Sequence, residues 1–161
     1  MRVVRGGDGI PAFTVLKVTG SSQIFERILD GEAALARVPA VERDISYANY
    51  EFKLAGTETA MGRSCYVLQL IPRKQSKYLL EGRVWIDAAT FAMVRLEGRP
   101  AASVSLWIGK PLIIQEFGER NGAWVATSSN AISNTRLLGT TQLTINRDYP
   151  TPLEYSQDRR H

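Results

Sequence analysis

The spacing of apolar residues divides the chain into one helical stretch and a long series of strands. Apolar and polar positions mostly alternate through the last two-thirds of the chain, as at Tyr50, Phe52 and Leu54, which are separated by charged neighbours. This two-residue period is typical of strands with one buried and one solvated face. Residues 65–71 are apolar on both faces except at Gln69. They are predicted to form a central strand covered on both sides.

Only one segment has the spacing of a convincing helix. Its apolar residues recur at intervals of one, three, four and seven, which predicts a helix over residues 23–38. Ser21 or Ser22 can cap its start, and Pro39 marks its end. One strand, residues 12–19, is predicted before it. The helix is long enough to cover one face of the strands that follow.

Short turn signals connect most of the strands directly. Ala55–Gly56 and Met61–Gly62 are predicted to be turns, and residues 88–90 are predicted to join two strands tightly. Asn121–Gly122 is the strongest hairpin signal. The strands predicted around these turns are residues 50–54, 65–71, 82–87, 91–97, 105–108, 112–117, 123–127, 131–138 and 140–149. Consecutive strands with short connections predict an antiparallel meander in a mainly β, α+β domain.

Composition supports one domain and argues against nucleic acid as a partner. The 161 residues are 44% hydrophobic and 22% charged, which is typical of a folded globular chain. The domain is predicted over residues 1–155, and a polar tail over 156–161. The net charge is only +4, and the densest basic run, residues 73–77, lies between two predicted strands. A nucleic-acid interface normally has a denser basic patch.

The residues that usually carry catalysis or bind metals are sparse. His161 is the sole histidine and lies at the end of the polar tail, and Cys65 is the sole cysteine. Cys65 lies in an apolar strand and is predicted to be buried and inert. Asp87, Glu97 and Glu116 lack a recognisable ligand spacing, and Asp87 is interpreted as the residue that opens a hairpin turn. No catalytic residue, metal or cofactor is predicted, and we do not expect an enzyme.

No stretch approaches the length of a membrane-spanning helix, and the first nine residues lack the apolar core of a secretory signal. Two locations follow as alternatives. The protein stays in the cytoplasm, or the full gene encodes a signal peptide that this chain does not show.

Three segments of the chain resemble the outer-membrane lipoprotein-sorting domains of the LolA/LolB-like family. They are residues 49–54, residues 62–73 with the sequence GRSCYVLQLIPR, and residues 82–87 with the sequence GRVWID. Residues 93–98 fit the strand that follows in those proteins, and the resemblance covers about residues 49–149. It implies an unclosed half-barrel, a curved antiparallel sheet with a helix packed on its concave face. The N-terminal region is short compared with the family pattern.

The same resemblance implies what the domain does. Proteins of this family carry lipoprotein acyl chains across the periplasm, receive them at the outer membrane or sense envelope stress. The leading hypothesis is a non-enzymatic carrier or binding domain for a lipid or lipoprotein acyl chain in the bacterial envelope, periplasmic if a signal peptide is encoded. The alternatives are a protein-interaction or stress-sensor domain of the same fold, and an enzyme recruited onto it.

Large apolar side chains in the predicted strands are the candidate ligand contacts. They are Trp85, Met93, Trp107, Ile114, Phe117 and Trp124. When both faces of a strand are apolar, each face is either covered or available to a partner. These side chains are therefore expected to line a groove for a hydrophobic ligand or lipidated protein, with peripheral membrane contact as a further expectation. The alternative is that the helix and the curvature of the sheet bury them.

The last predicted strand, residues 140–149, is expected to be a free edge of the sheet. Its centre, residues 143–145, is uncharged and rich in β-branched side chains, so a second copy could pair with it and form a homodimer. The alternative is that strand 12–19 or the polar tail covers this edge.

Overall fold

The computed structural model describes residues 2–4, 13–19, 37–105, 109–135 and 139–147, and within them the side chains of residues 37–105, 109–133 and 140. The described elements, in chain order, are β1 (Arg2–Val4), β2 (Phe13–Thr19), α1 (Ala40–Arg43), β3 (Tyr50–Ala60), β4 (Arg63–Pro72), β5 (Leu80–Asp87), β6 (Met93–Pro100), β7 (Leu112–Arg120), β8 (Ala123–Thr135) and β9 (Gly139–Arg147).

All nine described strands form one antiparallel sheet. Its order is β1-β2-β9-β8-β7-β6-β5-β4-β3, so β3 to β9 make a continuous meander and β2 pairs beside β9. The two ends of this order, β1 and β3, do not pair with each other, so the sheet is not closed into a barrel. The predicted class, a mainly β domain with an unclosed antiparallel sheet, is confirmed. The predicted helix 23–38 and the predicted strand 105–108 lie largely outside the described residues.

The prediction that residues 140–149 form a free edge is wrong. Strand β9 lies between β2 and β8, and Thr144 is opposite Lys17 on one side and Asn130 on the other. The alternative, that the strand at residues 12–19 covers it, is confirmed. An uncharged, β-branched strand centre suits an interior strand at least as well as an edge, because interior strands need no charges to prevent further pairing.

The hairpin predictions at Met61–Gly62 and Asn121–Gly122 are confirmed. Both residues of each pair have positive φ, from 52° to 77°, which is the geometry of a type I′ turn. The turn predicted at Ala55–Gly56 is wrong. Strand β3 continues through it with a register shift between Leu54 and Gly56, and Gly56 has φ of 141°. Glycine here permits a β-bulge, which bends the strand without reversing it.

Two strands predicted at residues 123–127 and 131–138 are one strand, β8, up to Thr135. A register shift opposite Glu116 and Phe117 lies close to the point where the two strands were predicted to be separate. Ser129 and Ser133 lie within this strand and are buried. Polar residues therefore continue the strand because the neighbouring strands on both sides satisfy its backbone groups.

The sheet has two chemically different faces. On the first, the core cluster of Tyr50, Leu70, Leu79, Val84 and Leu96 packs against residues from the segment before β3, among them Ile45; we call this the packed face. On the second, strand pairing aligns Glu58, Arg83, Trp85, Arg95, Glu97 and Glu116, and we call this the charged face. Cys65 lies in a small cluster on the charged face and is fully buried, which confirms its predicted burial.

Candidate functional site

A cavity of about 630 Å³ lies on the packed face. Its floor is formed by apolar side chains from the four adjacent strands β5 to β8: Leu80, Met93, Leu96, Ile113, Phe117 and Ala126. Its other side is formed by the chain before β3 and the loop between β4 and β5, which contribute Arg43, Asp44, Ile45, Ser46, Lys77 and Tyr78. The arrangement is a largely apolar pocket with a polar, mainly cationic side.

Among the polar groups that line the cavity, the Tyr50 phenol has a structural partner and two cationic side chains are exposed. The Tyr50 hydroxyl accepts a hydrogen bond of 2.9 Å from the Leu80 backbone N–H. Burial raises the pKa of Tyr50 above its ordinary value, so the phenol stays neutral at physiological pH. Arg43 is exposed, and Lys77 lies near Tyr78, 5.3 Å from its ring centre. The cavity therefore combines a neutral interior with charges near solvent, which suits an apolar or amphipathic molecule.

The structure separates the predicted ligand contacts into different places. Met93 and Phe117 line the cavity. Trp85 lies on the charged face and is only 4% exposed. Ile114 lies opposite Glu97 on that same face, and Trp124 lies beside the Asn121–Gly122 turn, where its indole N–H donates a hydrogen bond to the Met93 carbonyl. Trp107 lies outside the described residues.

Trp85 is held by polar partners on the face away from the cavity. Its indole Nε1 donates a 2.9 Å hydrogen bond to Glu58, and the guanidinium groups of Arg83 and Arg95 lie 4.9 Å and 5.3 Å from the ring centre. Cation–π contacts and the hydrogen bond satisfy both the π system and the indole N–H. The sequence-based placement of Trp85 beside an apolar groove is therefore corrected.

Ion pairs continue across the charged face around this tryptophan. Arg83 lies 3.7 Å from Glu58 and 3.8 Å from Glu97, and Arg95 lies 3.0 Å from Glu97 and 3.8 Å from Glu116. These pairs are partly exposed, so each contributes little stability by itself. The charged groups around Trp85 therefore have partners of opposite charge within this face, although the buried Arg95 Nε makes no hydrogen bond.

Sequence reasoning missed most of the cavity floor, although the signal was present. In β7 the floor residues are Ile113, Gln115 and Phe117, which share one face because side chains alternate along a strand. The selection of Ile114 together with Phe117 broke this period of two. The cationic groups Arg43 and Lys77 lie outside the sheet, so no strand pattern could have placed them at the cavity.

Within the described ranges, no group of three or more histidine, cysteine, aspartate or glutamate side chains is arranged to hold a metal ion. No helix in that part of the chain is long and apolar enough to cross a membrane.

Comparisons with known proteins bear on the fold and the family. Among solved structures, a crystal structure of a domain described as an outer membrane lipoprotein-sorting protein, from Vibrio parahaemolyticus, is similar with a TM-score of 0.40 and 16% sequence identity. The similarity covers 69% of this chain and 48% of that chain, so this chain spans about half of that relative. A search of curated proteins finds no match.

The family model of the MucB/RseB N-terminal domain matches residues 15–99, just over half of the 161 residues. The matched range contains the segments 49–54, 62–73 and 82–87 from which the relationship was suspected, and that suspicion is confirmed. The chain belongs to the MucB/RseB N-terminal domain family.

Proposed function

We propose that this domain binds an apolar ligand of the cell envelope, a lipid or the acyl chain of a lipidated protein, in the cavity on the packed face. The observation that carries the proposal is the apolar floor that β5 to β8 present to a cavity of about 630 Å³. Sites for small molecules commonly have volumes of about 300–1,000 Å³ with mostly apolar linings. Membership of the MucB/RseB family supports an envelope location and a binding role.

The lining suits a flexible chain better than a rigid planar molecule. Met93 has an unbranched, polarisable side chain that adapts to irregular apolar shapes. Phe117 and Ile113 offer a broad apolar surface beside it. The polar side of the cavity, with Arg43 and Lys77, allows a head group to stay in contact with water while the chain is buried. We expect transport or sensing by binding, without covalent chemistry.

Two neighbouring isoleucines in β7 give a matched test. Ile113 lines the cavity, whereas Ile114 lies on the charged face, and both are half-buried. Displacement of a fluorescent fatty acid by palmitate measures the affinity. Ile113→Gln should weaken binding about tenfold, because the loss of one buried isoleucine contact costs roughly 1.5 kcal/mol. Ile114→Gln should leave the affinity within about twofold, since it removes no cavity contact.

The two variants also test the sequence-based choice of Ile114. A larger loss for Ile114→Gln than for Ile113→Gln would place the ligand on the charged face and overturn the proposed site. Failure of the wild-type protein to bind palmitate or the fluorescent probe, together with the absence of any co-purifying lipid in native mass spectrometry, would favour the interaction-domain alternative.

A further inference from the structure

Three hairpins meet at one end of the sheet, which we call the hairpin end. The β3–β4, β5–β6 and β7–β8 connections lie at the same end because these strands run alternately up and down. Arg63, just after the first turn, donates a hydrogen bond to Asp87 of the second hairpin, and its guanidinium lies 5.3 Å from the ring centre of Trp124 in the third. Trp124 in turn donates a 2.7 Å hydrogen bond to the Met93 carbonyl. The three tips therefore form one continuous surface.

Each tip exposes a large apolar side chain. Met61 is 48% exposed, Phe91 is 72% exposed and Trp124 is 37% exposed. We call these three side chains the apolar tips. Exposing them to water is unfavourable, and a group of exposed apolar side chains commonly marks an interaction site.

Two of these residues also have an unfavourable backbone conformation. Met61 has φ of 52° and Phe91 has φ of 58°, in the left-handed region that bulky residues rarely adopt. Asn121 occupies the same region in the third hairpin with a side chain that favours it. Asparagine at the first two tips would suit the turns better and expose less apolar surface. The fold alone therefore does not account for methionine and phenylalanine at these positions.

The charges around the tips cancel. Arg63 is paired with the buried Asp87. The exposed Glu119 directly precedes the exposed Arg120 in the sequence, so their opposite charges lie close together. The basic residues Arg73, Lys74 and Lys77 lie in the loop at the opposite end of the sheet. A patch without net charge matches a zwitterionic lipid surface, which carries no net charge either. The separate apolar side chains also suit lipid, because a lipid surface adapts to irregular protrusions and a rigid protein partner does not.

We propose that the apolar tips dock this domain onto a zwitterionic phospholipid bilayer. The contact is interfacial, since turns with unpaired backbone groups remain at the depth of the head groups. Tryptophan and arginine suit this layer because each combines an apolar body with a polar end. The inference stands independently of the cavity, whose lining includes neither Met61 nor Phe91.

Co-sedimentation of the full chain with phosphatidylcholine vesicles tests the proposal. Binding should persist at about 1 M salt, where charges are screened beyond about 3 Å. The double variant Met61→Asn/Phe91→Asn should bind at least about tenfold more weakly, yet unfold at the same or a higher temperature, because asparagine favours the left-handed turn positions. Val41→Asn is the matched control, since Val41 is 69% exposed but lies before β3 at the opposite end.

Each of the following results would overturn the proposal: no binding of the wild-type chain to these vesicles, equal binding of the double variant, or an equal loss with Val41→Asn. Binding that appears only with anionic phosphatidylglycerol and disappears in salt would place the contact at the basic loop, and would also overturn it. Palmitate affinity of the double variant should equal that of the wild type, which distinguishes failure of the docking surface from failure of the cavity.

Discussion

Gly82 and Gly98 face each other in the paired strands β5 and β6. A Cβ added to Gly82 would lie 2.0 Å from the Glu97 carbonyl oxygen and 2.5 Å from the Gly98 Cα. Both contacts are with backbone, so no side-chain rotation could relieve them. The two glycines therefore allow a closer approach of the strands than any other residue would permit.

We expect Gly82→Ala to destabilise the protein by more than about 3 kcal/mol, because the interior strands β5 and β6 must separate to admit a methyl group. Gly118→Ala is the matched control, since the nearest atom to its Cβ is a Thr127 methyl at 3.4 Å. That variant should be neutral or more stable by up to about 1 kcal/mol. Urea denaturation gives both values, and equal stabilities for the two variants would contradict the prediction.

Asp87 organises the turn that follows β5. Its carboxylate accepts hydrogen bonds from the Ala89 backbone N–H at 3.0 Å, from the Thr90 hydroxyl at 2.9 Å and from Arg63. The Ala89 N–H first, and then Arg63 and Thr90, hold the pKa of Asp87 below its ordinary value. The structural interpretation of this residue from the sequence agrees with these contacts.

The lowered pKa has a consequence for stability in acid. The unfolded chain binds the Asp87 proton more readily than the folded chain does, so ionised Asp87 contributes to the stability of the fold. This contribution is fully present above the ordinary pKa of about 3.9, and it is lost as the pH falls through the lower pKa of the folded state. Asp87→Asn should be less stable than the wild type at pH 7, with a difference that shrinks toward pH 3. Thermal unfolding at both pH values measures this. Glu42→Gln, which removes an exposed acid in α1, is the control for the loss of one negative charge at pH 7.

Strands β3 and β9 differ in the number of neighbouring strands with which they pair. Strand β9 pairs on both sides, whereas the described strands pair with β3 only through β4. The residues that flank a two-residue hairpin, Ala60 and Arg63, form a hydrogen-bonded pair, and such pairs alternate along the strands. The backbone N–H of Thr57, three positions from Ala60, therefore points away from β4.

Proline substitution distinguishes these two strands. Thr144→Pro in β9 removes an N–H from a strand with neighbours on both sides, leaves an acceptor unpaired and should cost about 1–3 kcal/mol more than Thr57→Pro in β3. Urea denaturation of the two variants gives the difference. Equal losses would mean that another part of the chain pairs with the outer side of β3.

The elements that could be predicted from the sequence are those whose signal is local. Asn121–Gly122 specifies a tight turn through the backbone preferences of both residues, and Gly62 does so for the first hairpin. The alternation of apolar and polar residues around these turns specifies strands. Gly56 could not be assigned in this way, because glycine is suitable both for a turn and for a bulge. The neighbour of β9 could not be assigned either, since the pairing of β2 with β9 joins residues more than a hundred positions apart.

At the scale of the whole molecule, the apolar cavity, the ion pairs and the exposed apolar side chains lie in separate regions of the sheet. The packed face contains the cavity, the charged face contains Trp85 within its ion pairs, and the hairpin end contains the apolar tips. From the sequence, six large side chains in predicted strands were assigned to one groove, because residue type alone does not reveal which face of the sheet a residue occupies. Met93 and Phe117 do line the cavity, whereas Trp85, Ile114 and Trp124 lie elsewhere.

The enclosure of Trp85 determines what the fluorescence of this protein reports. A water-soluble quencher such as acrylamide reaches Trp124, which is 37% exposed, far more readily than Trp85, which is 4% exposed and has two guanidinium groups close to its ring. Neither indole lines the cavity. Emission from these two tryptophans therefore follows events at the hairpin end, and Trp85 supplies a constant background against which a change at Trp124 can be measured.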